Sequence, residues 1–142
     1  MRNRISKRRG ERGQAMVEIA LLSPWIFFLF IGILDFGFYA YSAICTQNAA
    51  RVAAIVSAEP STIAVDPCKA ALAELAMLPN VPTGGTCSGT VLVTVTNLTG
   101  PDGKNAVQSK VTYQSINLVP IPGILPNQIT FVRTAEVRTI SQ

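Results

Sequence analysis

From Ile19 to Leu34 the chain runs sixteen residues without a charge, in the order IALLSPWIFFLFIGIL. As α-helix this stretch spans about 24 Å at about 1.5 Å per residue, against a bilayer hydrocarbon core of about 30 Å. Ala15 to Val17 on one side and Phe36 to Ile44 on the other lengthen it. Three readings compete. A core helix of a soluble domain would have to bury a dense run of aromatic and aliphatic side chains inside a chain of only 142 residues. A cleavable secretory signal would explain the charged start, but the apolar segment exceeds a usual signal core and no clear A-x-A site follows. A retained membrane anchor fits best: one helix over 14–58, membrane-spanning to about residue 41, bent at Pro24, where proline removes a backbone hydrogen bond.

Charge supports that reading. The chain carries 12 basic and 8 acidic residues, a formal +4, yet six of the basic ones lie within the first twelve positions. Beyond Gly13 the side chains hold six basic and seven acidic groups, a balance of −1. Residues 1–13 therefore form a basic leader, and the remainder has no general basic surface of the kind that binds nucleic acid. Cations before a span stay in the cytoplasm, so the body from 59 to 142 is expected outside the inner membrane.

Much chemistry is excluded. The chain has no histidine, which removes imidazole bases, histidine-dependent nucleophiles and histidine metal ligands. Cys45, Cys68 and Cys87 have no C-x-x-C spacing, and no phosphate-binding glycine loop occurs. No metal or cofactor is expected. The carboxylates of the body, Glu59, Asp66, Glu74, Asp102 and Glu136, show no recognisable pairing.

The long helix is expected to continue past the span, because AICTQNAARVAAIVSA (43–58) lacks glycine and proline. Ala49, Val52, Ala53 and Val56 form its predicted apolar face, and Gln47, Asn48 and Arg51 its polar side. Glu59-Pro60-Ser61 ends it. Asp66 is an N-cap and Pro67 a first-turn residue for a short helix to Leu78, and Pro79 stops it. Alternation then predicts strands over Thr90–Thr96, with Val91, Val93 and Val95 inward, and from Val107 to about Leu118. The dense turn signal Gly100–Asn105 joins the two. A third strand is predicted over Ile129–Thr139, with Ile129, Phe131, Ala135 and Val137 inward. The fold class is α+β: a long membrane-spanning helix packed on a small antiparallel sheet of about three strands, with one short extra helix. In an extracytoplasmic body Cys68 and Cys87 can form a disulfide closing a loop of about twenty residues; two free buried thiols are the alternative. Cys45 has no assigned partner. Val119–Pro126 reads as a proline-studded apolar loop that folds over the sheet edge or meets a membrane or partner. Asn97-Leu98-Thr99 fits a glycosylation tripeptide of the kind that occurs by chance.

A more specific pattern overlaps the anchor. Gly13 closes the basic leader, Gln14 follows, and Glu18 stands fifth after the glycine, at the start of the apolar run. This arrangement resembles the class III signal of type IV pilins and pseudopilins. With Pro24 and Ile33-Leu34-Asp35-Phe36-Gly37, residues 8–55 resemble the TadE-like proteins of tight-adherence pilus systems. The resemblance implies cleavage after Gly13 by a membrane-bound prepilin peptidase, for which Gly13, Gln14 and Glu18 are the recognised elements. It implies that the helix stays in the bacterial inner membrane and packs with other pilin-like subunits, as an oligomer or filament, with Glu18, Pro24, Asp35, Phe36 and Gly37 setting helix packing. A carboxylate on an apolar helix is costly unless paired. Glu18 is expected either to meet the new α-amine of Gln14 on a neighbouring chain or to stay hydrated among lipid headgroups. Asp35 is expected at the far membrane boundary, facing water or a partner helix. The implied role is structural, as a pilin-like subunit or assembly factor, with no catalytic residue. The competing readings are a membrane-anchored extracytoplasmic enzyme or binding module, and a secreted protein whose mature chain starts near residue 40 or later.

Overall fold

The computed structural model describes residues 7–59, 65–100, 102–119 and 128–139, with side chains described from residue 13 onward. The order is α1 (Lys7–Ala58), α2 (Pro67–Leu75), β1 (Val91–Thr99), β2 (Asn105–Ile116) and β3 (Gln128–Arg138). The strands form one antiparallel sheet in the order β1-β2-β3. The chain is α+β, as its patterning predicts. It divides after Phe36 into two compact units.

The second unit holds the core. One layer is the sheet, whose inner face places Val91 opposite Tyr113 opposite Phe131, and Val93 opposite Val111. Val91, Val111 and Tyr113 are fully buried there. Against them stand Ala49, Ala50 and Ala53 of α1, with Ala71, Leu72 and Leu75 of α2 and Leu78 just beyond it. The fully buried α1 members of this cluster are all alanine, with Phe38 and Cys45 packed against it half-buried. Small side chains let a helix approach a sheet closely, so the large partners come from β2 and α2, and density is kept by alternating small against large.

The structure corrects several boundaries and faces. Helix α1 already includes Lys7, ahead of the expected start at Gln14, because between the two only Gly10 and Gly13 disfavour helix, and single glycines cost only about 1 kcal/mol each. It runs through Pro24 as continuous helix. Its buried face is turned relative to the predicted one: Ser42, Thr46, Ala49, Ala50, Ala53 and Ala54 are fully buried, whereas Val52 and Val56 are only half-buried. The small residues take the close approach and the valines flank it. Gln47 is half-buried, and Asn48 and Arg51 are exposed.

Helix α2 has the predicted start. Asp66 is extended (φ −65°, ψ 119°) and its carboxylate accepts the Cys68 N–H at 2.9 Å. The helix ends at Leu75, not Leu78. The Leu78 N–H bonds back to the Leu75 carbonyl at 2.8 Å, a tightened last turn that still buries Leu78. Asn80 follows in the left-handed region (φ 66°), which asparagine tolerates. β1 and β2 each outrun prediction at the hairpin end, reaching Thr99 and starting at Asn105, while β2 stops at Ile116. Val95, predicted inward, is 37% exposed, and every residue of β1 from Thr94 onward is exposed. β1 is an edge strand, and the core residues of α2 cluster only with its first three residues. Ile129, Phe131, Ala135 and Val137 are half-buried, with exposed residues between them. Pro60-Ser61, Pro101 and the loop from Pro120 to Pro126 lie outside the described residues.

Candidate functional site

The predicted processing and packing residues, Gly13, Gln14, Glu18, Pro24, Asp35, Phe36 and Gly37, follow one another along α1. Every large apolar side chain from Met16 to Phe36 except Ile31 is exposed, Met16 and Trp25 by 77%. A helix that is apolar all round has no water-facing side. The stretch within Gly13–Ala58 is long and apolar enough to cross a membrane. What it offers chemically is a surface that only lipid tails or other apolar helices solvate favourably.

Polar groups are sparse on this surface. Gln14 and Glu18 stand four residues apart on one face, and Gln14 Nε2 donates to Glu18 Oε1 at 3.3 Å. Both are exposed, so the carboxylate keeps acceptor capacity directed outward. Pro24 is exposed on the same helix. Asp35 differs from the water-facing expectation: it is 4% exposed and is the one buried carboxylate among the described residues. Phe36 beside it is 76% exposed.

The glycines are informative. A Cβ built on Gly13, Gly32 or Gly37 meets no other atom within 4 Å. Glycine in a helix interior costs about 0.5–1 kcal/mol relative to alanine. Among the described residues, nothing approaches these three positions closely enough to require the missing side chain.

Away from the helix surface, the structure brings Cys68 and Cys87 together in a disulfide, Cα to Cα 5.7 Å, tying the first turn of α2 to the loop before β1. Cys45 is free and half-buried against the core. Three links missed by sequence reasoning fix the end of β2. Tyr113 Oη donates to the Pro79 carbonyl at 2.6 Å, and Asn80 Nδ2 donates to the Gln114 carbonyl at 3.2 Å. Tyr39 Oη of α1 donates to Asn117 Oδ1. The Pro79-Asn80 turn signal marks the first two; the third joins residues 78 apart, with no local signature. Burial pushes the Tyr113 phenol above its ordinary range, partly opposed by a hydrogen bond with Ser115.

No curated protein and no solved structure is detectably similar to the chain as a whole. Over residues 13–54, the stretch holding Gly13, Glu18 and Asp35-Phe36-Gly37, the chain matches the family described as TadE-like protein, and its N-terminal helix carries that family's pattern.

Proposed function

We propose that this protein is a pilin-like subunit or assembly factor of a tight-adherence pilus, held in the bacterial inner membrane by α1 and acting by helix packing. The observation that carries the reading is the TadE-like match over residues 13–54, falling on a helix whose large apolar side chains from Met16 to Phe36 are exposed almost without exception. A pilus-related family of this kind is structural or assembly-directed rather than typically enzymatic.

A prepilin peptidase cuts the chain after Gly13 on the cytoplasmic side, leaving Gln14 as the first residue. Gly13 has open space around it in the chain, in keeping with a glycine selected by a peptidase rather than by folding. The freed α-amine of Gln14 then lies one helical turn from Glu18 within a chain, and the same two groups can pair between chains in a bundle, where one buried polar contact sets register. The partners are membrane lipid, the peptidase and other pilin-like subunits.

Mass and N-terminal sequencing of the protein from its native membrane test this. A mature chain starting at Gln14 is expected, and Gly13→Leu is expected to retain the leader. Unchanged processing of Gly13→Leu defeats the proposed cut. An intact Met1 leaves a plain anchor, and a start near residue 44 leaves a secreted protein.

A further inference from the structure

We infer that the face of α1 between Tyr41 and Ile55 is covered by the same face of a second copy of this chain, parallel to it and displaced along the helix by one heptad. This rests on the helix-packing reading of α1 and goes beyond it by naming the partner and the register; it does not depend on leader cleavage.

The residues concerned all lie in the second compact unit. There α1 buries small side chains and exposes larger ones. Ser42, Thr46, Ala49, Ala50 and Ala53 are fully buried, whereas Ile44 is 61% and Ile55 45% exposed. A helix with only one packed face shows the reverse, its larger apolar side chains inward. Over 41–55 the exposed residues are Tyr41, Ile44, Asn48, Arg51 and Ile55. They follow one another at steps of three, four, three and four, the spacing of the a and d positions that meet a partner helix. Any helix laid on a sheet shows solvent a stripe, but three of the five members of this one are large and apolar. Lipid alone does not account for it, because Asn48 and Arg51 stand between Ile44 and Ile55.

Charge selects the occupant and its register. Arg51 is exposed and makes no ion pair among the described residues. Two copies anchored through the same end of α1 run parallel, and at equal height they would set Arg51 against Arg51. Glu59 is exposed eight residues further on, and its N–H still bonds to the Ile55 carbonyl at 3.2 Å, so it continues the helical path. In a parallel pair a d side chain packs beside the partner's e position. Sliding one copy by seven residues, about 10.5 Å of rise, brings Arg51 beside Glu59 of the second copy. The same slide sets Tyr41 opposite Asn48 and Asn48 opposite Ile55. It also sets Gly37 opposite Ile44 of the second copy, and a Cβ on Gly37 meets nothing within 4 Å of its own chain, so the isoleucine has room. A slide of two heptads carries the partner of Arg51 past the end of the helix. The contact is head to tail, so it repeats from copy to copy without closing.

The test uses two differently tagged full-length copies, both with Cys45→Ala, made together in membranes. One carries Asn48→Cys and the other Ile55→Cys; both positions are exposed, so the fold is kept. Oxidation with copper phenanthroline is expected to give a cross-link bearing both tags, in excess of either like pair. Arg51→Glu in both copies is expected to cut its yield about fivefold, since attraction becomes repulsion. Adding Glu59→Arg to both copies is expected to restore it. Like pairs, 48 to 48 and 55 to 55, in excess of the mixed one place the helices level and overturn the inference. A mixed cross-link indifferent to the charge exchange overturns it as well. Absence of any cross-link while the two tags still co-purify overturns it alone and leaves packing elsewhere on α1 standing. A chain that associates neither with its own copies nor with another pilin-like subunit loses this contact and the helix-packing reading together.

Discussion

The Tyr113 hydroxyl reaches the Pro79 carbonyl at 2.6 Å, closing 34 residues of chain onto the centre of the sheet. Tyr113 is fully buried, and the proline carbonyl at the end of the α2 segment has its hydrogen-bond demand met by this phenol. The same segment is held again by Asn80, so the turn after α2 is fixed to β2 from both sides.

Tyr113→Phe keeps the ring and removes the donor. The change is expected to cost about 1–2 kcal/mol, because a half-buried acceptor is left without its partner. Chemical denaturation of the full chain in detergent reads this as a lower midpoint at unchanged slope. The same residue sets an alkaline limit. Burial raises the folded-state pKa, so the stabilising, protonated phenol is fully present below the unfolded value of about 10 and its contribution is lost as pH climbs through the folded value. Wild-type stability should fall above about pH 10 more steeply than that of Tyr113→Phe. Parallel alkaline curves would remove Tyr113 as the cause.

Cys68 and Cys87 are 19 residues apart in sequence, and their bridge closes a loop containing α2. On the chain-entropy account such a loop is worth about 3 kcal/mol. Cys68→Ser with Cys87→Ser is expected to lose about that much, and the wild type should show the same loss when reductant is added to the denaturation series. Reductant should leave the double variant unchanged. Insensitivity of the wild type would mean that α2 is held by Leu72, Leu75 and the Asn80 clasp alone.

What the residues reveal in advance depends on how local their physics is. Asp66-Pro67 announces the start of α2 because a cap involves only adjacent backbone groups. The alternation of Val91, Val93, Val111 and Tyr113 announces strands because one face must be dry. The face that α1 buries was harder to read: Ala49, Ala50, Val52, Ala53 and Ala54 are all apolar, and hydropathy ranks valine above alanine. Closeness to the sheet reverses that order. The exposure of Val95 was equally hidden, since it depends on how far the covering helix reaches along an edge strand. The burial of Asp35 has no counterpart in the residues around it. The Gly13, Gln14 and Glu18 spacing is a linear pattern, and it falls in the stretch that matches the TadE-like family.

Ala53→Leu tests the close approach of α1 to the sheet. Ala53 is fully buried in the cluster that contains Val111 and Tyr113. Added methylenes there force side chains off their rotamers or push the helix away, at about 1–3 kcal/mol. Val52→Leu, on the half-buried flank, is expected to change stability by less than half as much. Equal effects at the two positions would show that the buried face is not the alanine one.

The Arg138–Asp102 pair joins the β1–β2 turn to the end of β3, but the Arg138 side chain is 65% exposed and the Asp102 side chain 32%. Exposed pairs contribute about 0.2–1 kcal/mol and fade with salt. Arg138→Ala is therefore expected to shift the denaturation midpoint only slightly, and not at all in high salt. A loss that persists in high salt would assign Arg138 a packing role through its aliphatic stem.

Gly37→Ala separates what the chain needs from what its partners need. A Cβ at Gly37 meets nothing within 4 Å, and alanine favours helix over glycine by about 1 kcal/mol. The purified chain should be as stable as wild type or slightly more so. Small residues on a membrane helix let a second helix approach closely, so under the packing proposal the same methyl group should reduce pilus assembly in cells that still contain normal amounts of the protein. Piliation is scored by electron microscopy and protein level by immunoblot. Stable protein with impaired piliation places a partner against Gly37. Stable protein with normal piliation removes Gly37 from the packing surface and leaves Glu18 and Phe36 to carry it.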